Sequence, residues 1–382
     1  MSKNNLCCIF NYAPLYRESI YKKIDEVFNV QFYFGKEVIE GKKSGIKKLD
    51  YSIFKKKPIE FRNVLLFGKI LWRTGITFLP LKKEYSSFII TGDLCLTYVF
   101  FLFFCKLCGK KVYAWGHGVK SMNGKLFLLT KWIYANIDKY FTYGEKGKQR
   151  LIELGFPDNK FEVIYNSLNK GINGKDLMKF KSDVYFRHFG NNYPVLIFVG
   201  RLTPVKKLDW LVRIIAEERK EGVYYNLVFI GDGTERKQLE LLSANLNVIN
   251  SVWFYGECYE GDELNLLLYN ADVCVSPGNV GLTAIHAMEY GTPVITHDNF
   301  EKQMPEYESI VKGKTGNLYE YGNFEDLKLK IREWIEGVQN RDVVREKCFK
   351  MINSHYNSDY QIRVLKKTID AIGSKSKSFN EV

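Results

Sequence analysis

Short β-rich apolar runs alternate with helix-patterned stretches along both halves of this chain. That alternation limits the available folds more than any other feature. The first half carries LCCIFNY (Leu6 to Tyr12), VQFYFG (Val30 to Gly35), FIITGD (Phe88 to Asp93), KVYAWGHG (Lys111 to Gly118), KYFTYG (Lys139 to Gly144) and FEVIYN (Phe161 to Asn166). The second carries VLIFVG (Val195 to Gly200), NLVFIGDG (Asn226 to Gly233), VWFYG (Val252 to Gly256), DVCVSPG (Asp272 to Gly278) and PVITHD (Pro293 to Asp298). Strands this short and apolar are covered on both faces, as in a parallel sheet flanked by helices. Between them, Leu208, Leu211, Val212 and Ile215 keep the i, i+3, i+4, i+7 spacing of a helix face. Two such sets of similar size predict an α/β chain with two Rossmann-like domains. The polar stretch 169–194, with Gly171, Gly174 and Gly190, is expected to link them. The expected domains are 1–185, 190–356, and a C-terminal helix in 357–382 that returns to the first domain. The tail SKSKSFNEV is expected to fray.

The 382 residues are 46% hydrophobic and 26% charged, as in folded globular proteins. The opening MSKNNLCCIFNYAP lacks the apolar core of a secretory signal. The longest apolar run, Leu94 to Cys105, is twelve residues. A membrane span needs about 20, so a buried helix is expected there. The eight cysteines fall in predicted strands and helices, which fits core packing in a reducing cytoplasm. Cys105 and Cys108 have CxxC spacing but no second pair, so packing explains them better than a metal or redox site.

Charge is divided unevenly. The net of +13 splits into +17 over residues 1–190 and −4 over the rest. Basic clusters lie at Lys42, Lys43, Lys47 and Lys48, at Lys55 to Lys57, and at Lys82 with Lys83. Arg62, Lys69 and Arg73 are interleaved with Phe61, Leu65, Leu66, Phe67, Leu71 and Trp72. Basic residues mixed with large apolar ones suit an anionic membrane surface. A solvated face is the plainer alternative. No recognised motif supports nucleic acid as a partner.

Two loops carry the chemistry. SPGNVGLTAIHAMEYGTPVIT (Ser276 to Thr296) reads as strand, glycine-bearing loop, short helix, turn and strand. Gly278 and Gly281 allow close backbone approach to a ligand, and the helix opened by Leu282 and Thr283 offers free amides that favour phosphate. VGRLTPVKKLDWLV (Val199 to Val212) delivers Arg201 and Lys206, two cations suited to a diphosphate. The alternative for that loop is two exposed basic residues. Gly231 and Gly233 have GxG spacing, which a tight turn explains equally well. There is no Asp-x-Asp and no His/Cys/Asp/Glu cluster at metal spacing, so neither a metal nor another cofactor is expected.

In this order and about 75 residues apart, these segments resemble the retaining glycosyltransferases of the GT-B fold, family four. Gly200, Arg201, Leu202 and Lys206 match one motif; Gly281, Leu282, Ala287, Met288, Gly291, Thr292, Pro293 and Val294 match the other. The resemblance implies two Rossmann-like domains with parallel sheets facing across a cleft. It implies that Arg201 and Lys206 hold the donor diphosphate and that the amides of Gly281, Leu282 and Thr283 cap it. Gly200, Asn279, Val280 and His286 complete the implied donor site. His117, in Trp115-Gly116-His117-Gly118, falls where the family has a histidine facing the donor sugar; a packed core histidine is the alternative. The family's two glutamates fall at Gly278 and His286, neither of them acidic. Asn279, Glu289 and Glu306 are the candidate substitutes.

The implied activity is metal-independent retaining transfer from a nucleotide-sugar donor to a lipid-linked saccharide acceptor. The setting would be surface polysaccharide synthesis, of O-antigen or capsule type, by a cytoplasmic protein peripheral at the inner face of the membrane. The alternatives are a nucleotide-sugar epimerase of the same architecture and a catalytically degenerate sugar-nucleotide-binding protein.

Overall fold

The computed structural model describes residues 5–41, 46–119, 127–168, 178–258, 261–337 and 340–378. They form two compact units, Met1–Lys170 with Ser358–Val382, and Gly171–Asn357.

Along the first unit run β1 (Asn5–Phe10), α1 (Glu18–Val27), β2 (Asn29–Gly35), β3 (Ile59–Phe61), β4 (Asn63–Leu66) and β5 (Ile70–Arg73). There follow β6 (Ser87–Thr91), α2 (Leu96–Leu107), β7 (Lys111–Gly116), α3 (Phe127–Ala135), β8 (Lys139–Thr142), α4 (Glu145–Glu153) and β9 (Phe161–Val163). Seven strands make one parallel sheet in the order β3-β2-β1-β6-β7-β8-β9, while β4 and β5 pair as a separate antiparallel hairpin. Side-chain alternation along β1 fills both faces: Leu6, Cys8 and Phe10 join one core with α1, and Cys7 and Ile9 join another with α2.

The second unit contains α5 (Val184–Phe189), β10 (Val195–Val199), α6 (Asp209–Lys220), β11 (Asn226–Ile230), α7 (Arg236–Asn245), β12 (Val252–Gly256) and α8 (Asp262–Asn270). It continues with β13 (Val273–Ser276), α9 (Thr283–Glu289), β14 (Val294–His297), β15 (Gly316–Tyr319), α10 (Phe324–Gly337) and α11 (Arg341–His355). Its six strands are ordered β12-β11-β10-β13-β14-β15, and each strand pair is parallel.

The last helix, α12 (Ser358–Ser378), belongs to the first unit. Its Ser358 hydroxyl hydrogen-bonds that of Ser19 at 2.7 Å, Asp359 pairs with Lys23, and Leu365 and Ile369 are buried in the α1-side core. The segment expected to fray is helical as far as Ser378.

Three sequence expectations need correction. Part of the 169–194 stretch is structured on the second unit: the Tyr185 hydroxyl donates to the Leu267 carbonyl at 2.7 Å, and the Asn270 amide to that of Phe180 at 2.7 Å. Residues 169–177 lie outside the described residues. Second, α2 is buried on only one side. Tyr98, Phe101, Leu102 and Cys105 face the core, but Phe100, Phe103 and Leu107 are exposed. Third, Arg73 is not a surface cation. It is 0% exposed, forms an ion pair with Asp93, and donates to Thr91 Oγ1 at 2.7 Å and Asn63 Oδ1 at 3.2 Å. Of that cluster, Arg62 and Lys69 are exposed, and Arg62 is paired with Glu40. Lys42 and Lys43 lie outside the described residues.

Candidate functional site

In the second unit β10 and β13 are neighbours, and the strand order runs outward from them in opposite directions. Loops after two such strands diverge and leave a crevice at the carboxyl edge of the sheet. Here those loops are 200–208 and 277–282, so topology alone brings the two predicted motifs together. The Gly278 N–H donates to the Lys206 carbonyl at 3.0 Å. Lys206 Nζ donates to the Asn279 carbonyl and, at 2.7 Å, to Asn279 Oδ1.

This ammonium has only neutral acceptors. Burial, and after it the charge of Arg201, pushes the Lys206 pKa down to about 8. Arg201 is exposed, and no carboxylate among the described residues pairs with either cation. Gly281 adopts φ +58°, a turn that favours glycine. After it, the N–H groups of Gly281, Leu282 and Thr283 meet no acceptor among the described residues. The Thr283 hydroxyl is engaged, donating to the Val199 carbonyl at 3.0 Å. Gly200 closes β10 with its N–H on the Ile230 carbonyl at 2.9 Å. Two cations and three amides thus offer donors to an anion.

Other predicted donor residues are placed differently. Val280 is buried, and its N–H is taken by Gln303 Oε1 at 3.0 Å, so that amide is not available to a ligand. At Gly278 a Cβ would stand 2.1 Å from the Val205 carbonyl oxygen and 2.8 Å from Lys206 Cα. A side chain at this position, where the resemblance would place a glutamate, collides with the Lys206 loop. His286 is half-buried on α9, its ring 5.6 Å from that of Tyr290, and desolvation pushes its pKa down to about 4. It stays neutral near pH 7 and keeps a ring nitrogen able to accept. Of the candidate substitutes, Asn279 is held by Lys206, while Glu289 and Glu306 are buried at 1% and 2% exposure.

Sequence reasoning missed the brace beneath the loop. Gln303 Nε2 donates to Thr296 Oγ1 at 2.7 Å, Thr296 Oγ1 donates to the Ser276 carbonyl at 2.8 Å, and the Tyr319 hydroxyl donates to the Pro277 carbonyl. These residues come from three separate segments. Only the small, polar Thr296 at a strand end gave any local signal.

The first unit repeats the topology. Its adjacent strands β1 and β6 are the divergence point, and a 360 Å³ cavity opens at their carboxyl ends. Asn11, Arg17, Asp93, Trp115, His117 and Tyr143 are among its walls. His117 follows β7, is exposed, and has its ring 4.9 Å from that of Tyr143, so the packed-core alternative does not hold.

Two open parallel sheets of this kind, each with a crevice at its divergence point, define the GT-B class of α/β protein. Residues 185–351, almost all of them in the second unit, match the model of the family described as glycosyl transferases group 1. An uncharacterized glycosyltransferase of Methanocaldococcus jannaschii is 33% identical over 149 residues, 36% of each chain. The alpha-monoglucosyldiacylglycerol synthase of Streptococcus pneumoniae is 26% identical over 239 residues, 61% of this chain and 50% of that one. The chain thus spans at most half the length of these curated relatives. The crystal structure of Anabaena HepE in complex with UDP superposes with a TM-score of 0.70 at 16% identity, over 96% of this chain and 100% of that one.

Proposed function

We propose that the chain is a retaining glycosyltransferase that moves a sugar from a nucleotide-sugar donor to a lipid-linked saccharide. The observation that carries this reading is the Lys206–Asn279 contact beside three unused amides and Arg201. In the proposed reaction the bond from the anomeric carbon to the diphosphate oxygen breaks. Lys206, Arg201 and the amides of Gly281, Leu282 and Thr283 stabilise the charge left on the diphosphate, without a metal clamp. The acceptor hydroxyl attacks from the face the diphosphate leaves, and its proton passes to the departing phosphate. His117 contacts the sugar. The co-structure with UDP of a protein of the same fold supports a uridine nucleotide as the first probe.

Membrane association draws support from the outer face of α2. Phe100 has its ring 6.1 Å from Trp72, Phe78 lies 5.2 Å from Phe104, and Phe103 lies 5.5 Å from Phe104. Leu107 is 70% exposed, and Phe67, at the hairpin tip, is 94% exposed. Residues 94–137 contain six lysines and no Asp or Glu. Exposed apolar side chains on a lysine-rich, acid-free segment suit an anionic bilayer. No described helix is long and apolar enough to cross a membrane. The setting we propose is the cytoplasmic face of a membrane, in synthesis of a surface polysaccharide. A diacylglycerol-sugar synthase among the relatives is compatible with a lipid acceptor.

The second reading, donor binding without transfer, is favoured by the filled space at Gly278 and the burial of Glu289 and Glu306. One experiment separates the two. Purified protein is given a panel of nucleotide sugars, an isoprenoid-diphosphate saccharide and anionic vesicles. Acceptor-dependent release of nucleotide diphosphate is the expected result. Binding without release selects the second reading, and no binding to any nucleotide sugar overturns both.

A further inference from the structure

Two arginines lie near the divergence point of the first sheet, and only one has a counter-ion. Arg73 is fully buried and paired with Asp93. Arg17, just before α1, has its guanidinium carbon 5.4 Å from the Trp115 ring centroid and 5.1 Å from that of Tyr143, and donates to the Tyr143 hydroxyl. No carboxylate among the described residues pairs with it. The carboxylate in the cavity wall, Asp93, is already committed to Arg73 and accepts from Thr91 Oγ1. The indole N–H of Trp115, another wall residue, is buried without an acceptor. Arg17 is therefore a cation in the cavity wall with no carboxylate partner among the described residues.

A guanidinium kept only for structure is normally neutralised when it is taken out of water, as Arg73 is. Arg17 instead keeps part of its donor fork unused beside a 360 Å³ space, within the size range of small-ligand pockets. A planar fork with spare donors matches phosphate or carboxylate oxygens in pairs. The rings of Trp115, His117 and Tyr143 supply apolar surface beside it, which suits a sugar ring next to the anion.

We infer that Arg17, held over the Trp115 and Tyr143 rings, forms an oxyanion site in the first unit, which binds a phosphate or carboxylate group of the acceptor. This rests on the reading that the first unit takes the acceptor. The oxyanion has two possible sources, a lipid diphosphate or an acidic sugar, and two probes distinguish them.

The test titrates the full chain, already saturated with UDP, with inorganic pyrophosphate and separately with glucuronate, by calorimetry. One probe is expected to saturate a single site. Arg17→Gln is expected to weaken that probe at least tenfold and Arg17→Lys to weaken it less, with UDP affinity unchanged in both. Binding of pyrophosphate points to a lipid diphosphate, and binding of glucuronate to an acidic saccharide. If neither probe binds the native chain, or Arg17→Gln binds as tightly as native, the site does not exist. A role limited to bracing Trp115 and Tyr143 would lower the thermal midpoint of Arg17→Gln and leave probe affinity alone, which also overturns it. Failure of UDP to bind, with an Arg17-dependent probe site intact, would count against the transferase reading and not against this one.

Discussion

The same topological accident occurs twice in this molecule and is used in two ways. At the divergence point of the second sheet, the loops touch: Gly278 donates to the Lys206 carbonyl, and the groups left over are backbone amides and two cations. At the divergence point of the first sheet, the loops stay apart around a cavity walled by Trp115, Tyr143 and His117. A crevice built from main chain has a fixed shape and suits a group common to many substrates, such as a diphosphate. A cavity built from side chains can change from one protein to the next without disturbing the sheet.

Placing a glutamate at the contact of the second crevice should break this contrast most severely. Gly278→Glu needs a Cβ 2.1 Å from the Val205 oxygen, so the loops must separate. We expect a loss of about 3 kcal/mol in unfolding free energy and no UDP binding, read by denaturant titration and calorimetry. A stable variant with gained turnover would mean the contact is easily displaced.

Next in size, Lys206→Met removes the buried cation while keeping its bulk. UDP affinity should fall about 100-fold, the scale of a lost charge-assisted hydrogen bond. Native stability should be retained, because the ammonium is destabilised by its own burial. Native affinity in this variant would move the diphosphate site elsewhere.

For the first unit, the double change Phe103→Ser and Leu107→Ser on the outer face of α2 should weaken sedimentation with anionic vesicles about tenfold. Its UDP affinity should not change. Equal loss of both would show that the two units do not divide the work as described.

An effect no larger than this is expected from pH. Lys206 has its pKa lowered to about 8, so its charge is complete well below that value and lost as pH rises through it. A diphosphate needs the charged form and raises the pKa on binding. UDP affinity should therefore drop about tenfold between pH 7 and 9, with proton uptake on binding visible in buffers of different ionisation enthalpy. A flat profile would mean that Lys206 does not touch the anion.

The second crevice was legible in the sequence because main-chain geometry demands particular residues at fixed spacing. Gly281 turns the chain, Lys206 lies six residues beyond Gly200, and both loops follow apolar strands. The occupied amide of Val280 was not legible, since Gln303 comes from a distant segment whose side chain could have pointed anywhere. Nor was the first cavity. Arg17, Asp93 and Tyr143 follow three different strands and Trp115 lies within a fourth, and nothing local in the chain links them. The apolar run in α2 shows a third limit. Twelve apolar residues announce a helix, but a helix apolar on all sides does not announce which side stays uncovered, and here Phe100, Phe103 and Leu107 do. The interleaved Arg73 misled for a similar reason, because its counter-ion Asp93 lies on another segment.

The return of α12 to the first unit bears on the order in which a nascent chain matures. Leu365 and Ile369 fill the α1-side core, and Asp359 meets Lys23 from more than three hundred residues away. Before α12 has been made, the α1-side core of the first sheet lacks these two residues. The later-made unit, contiguous from 171 to 357, can close first. The first unit thus completes its core only after the second unit has been made.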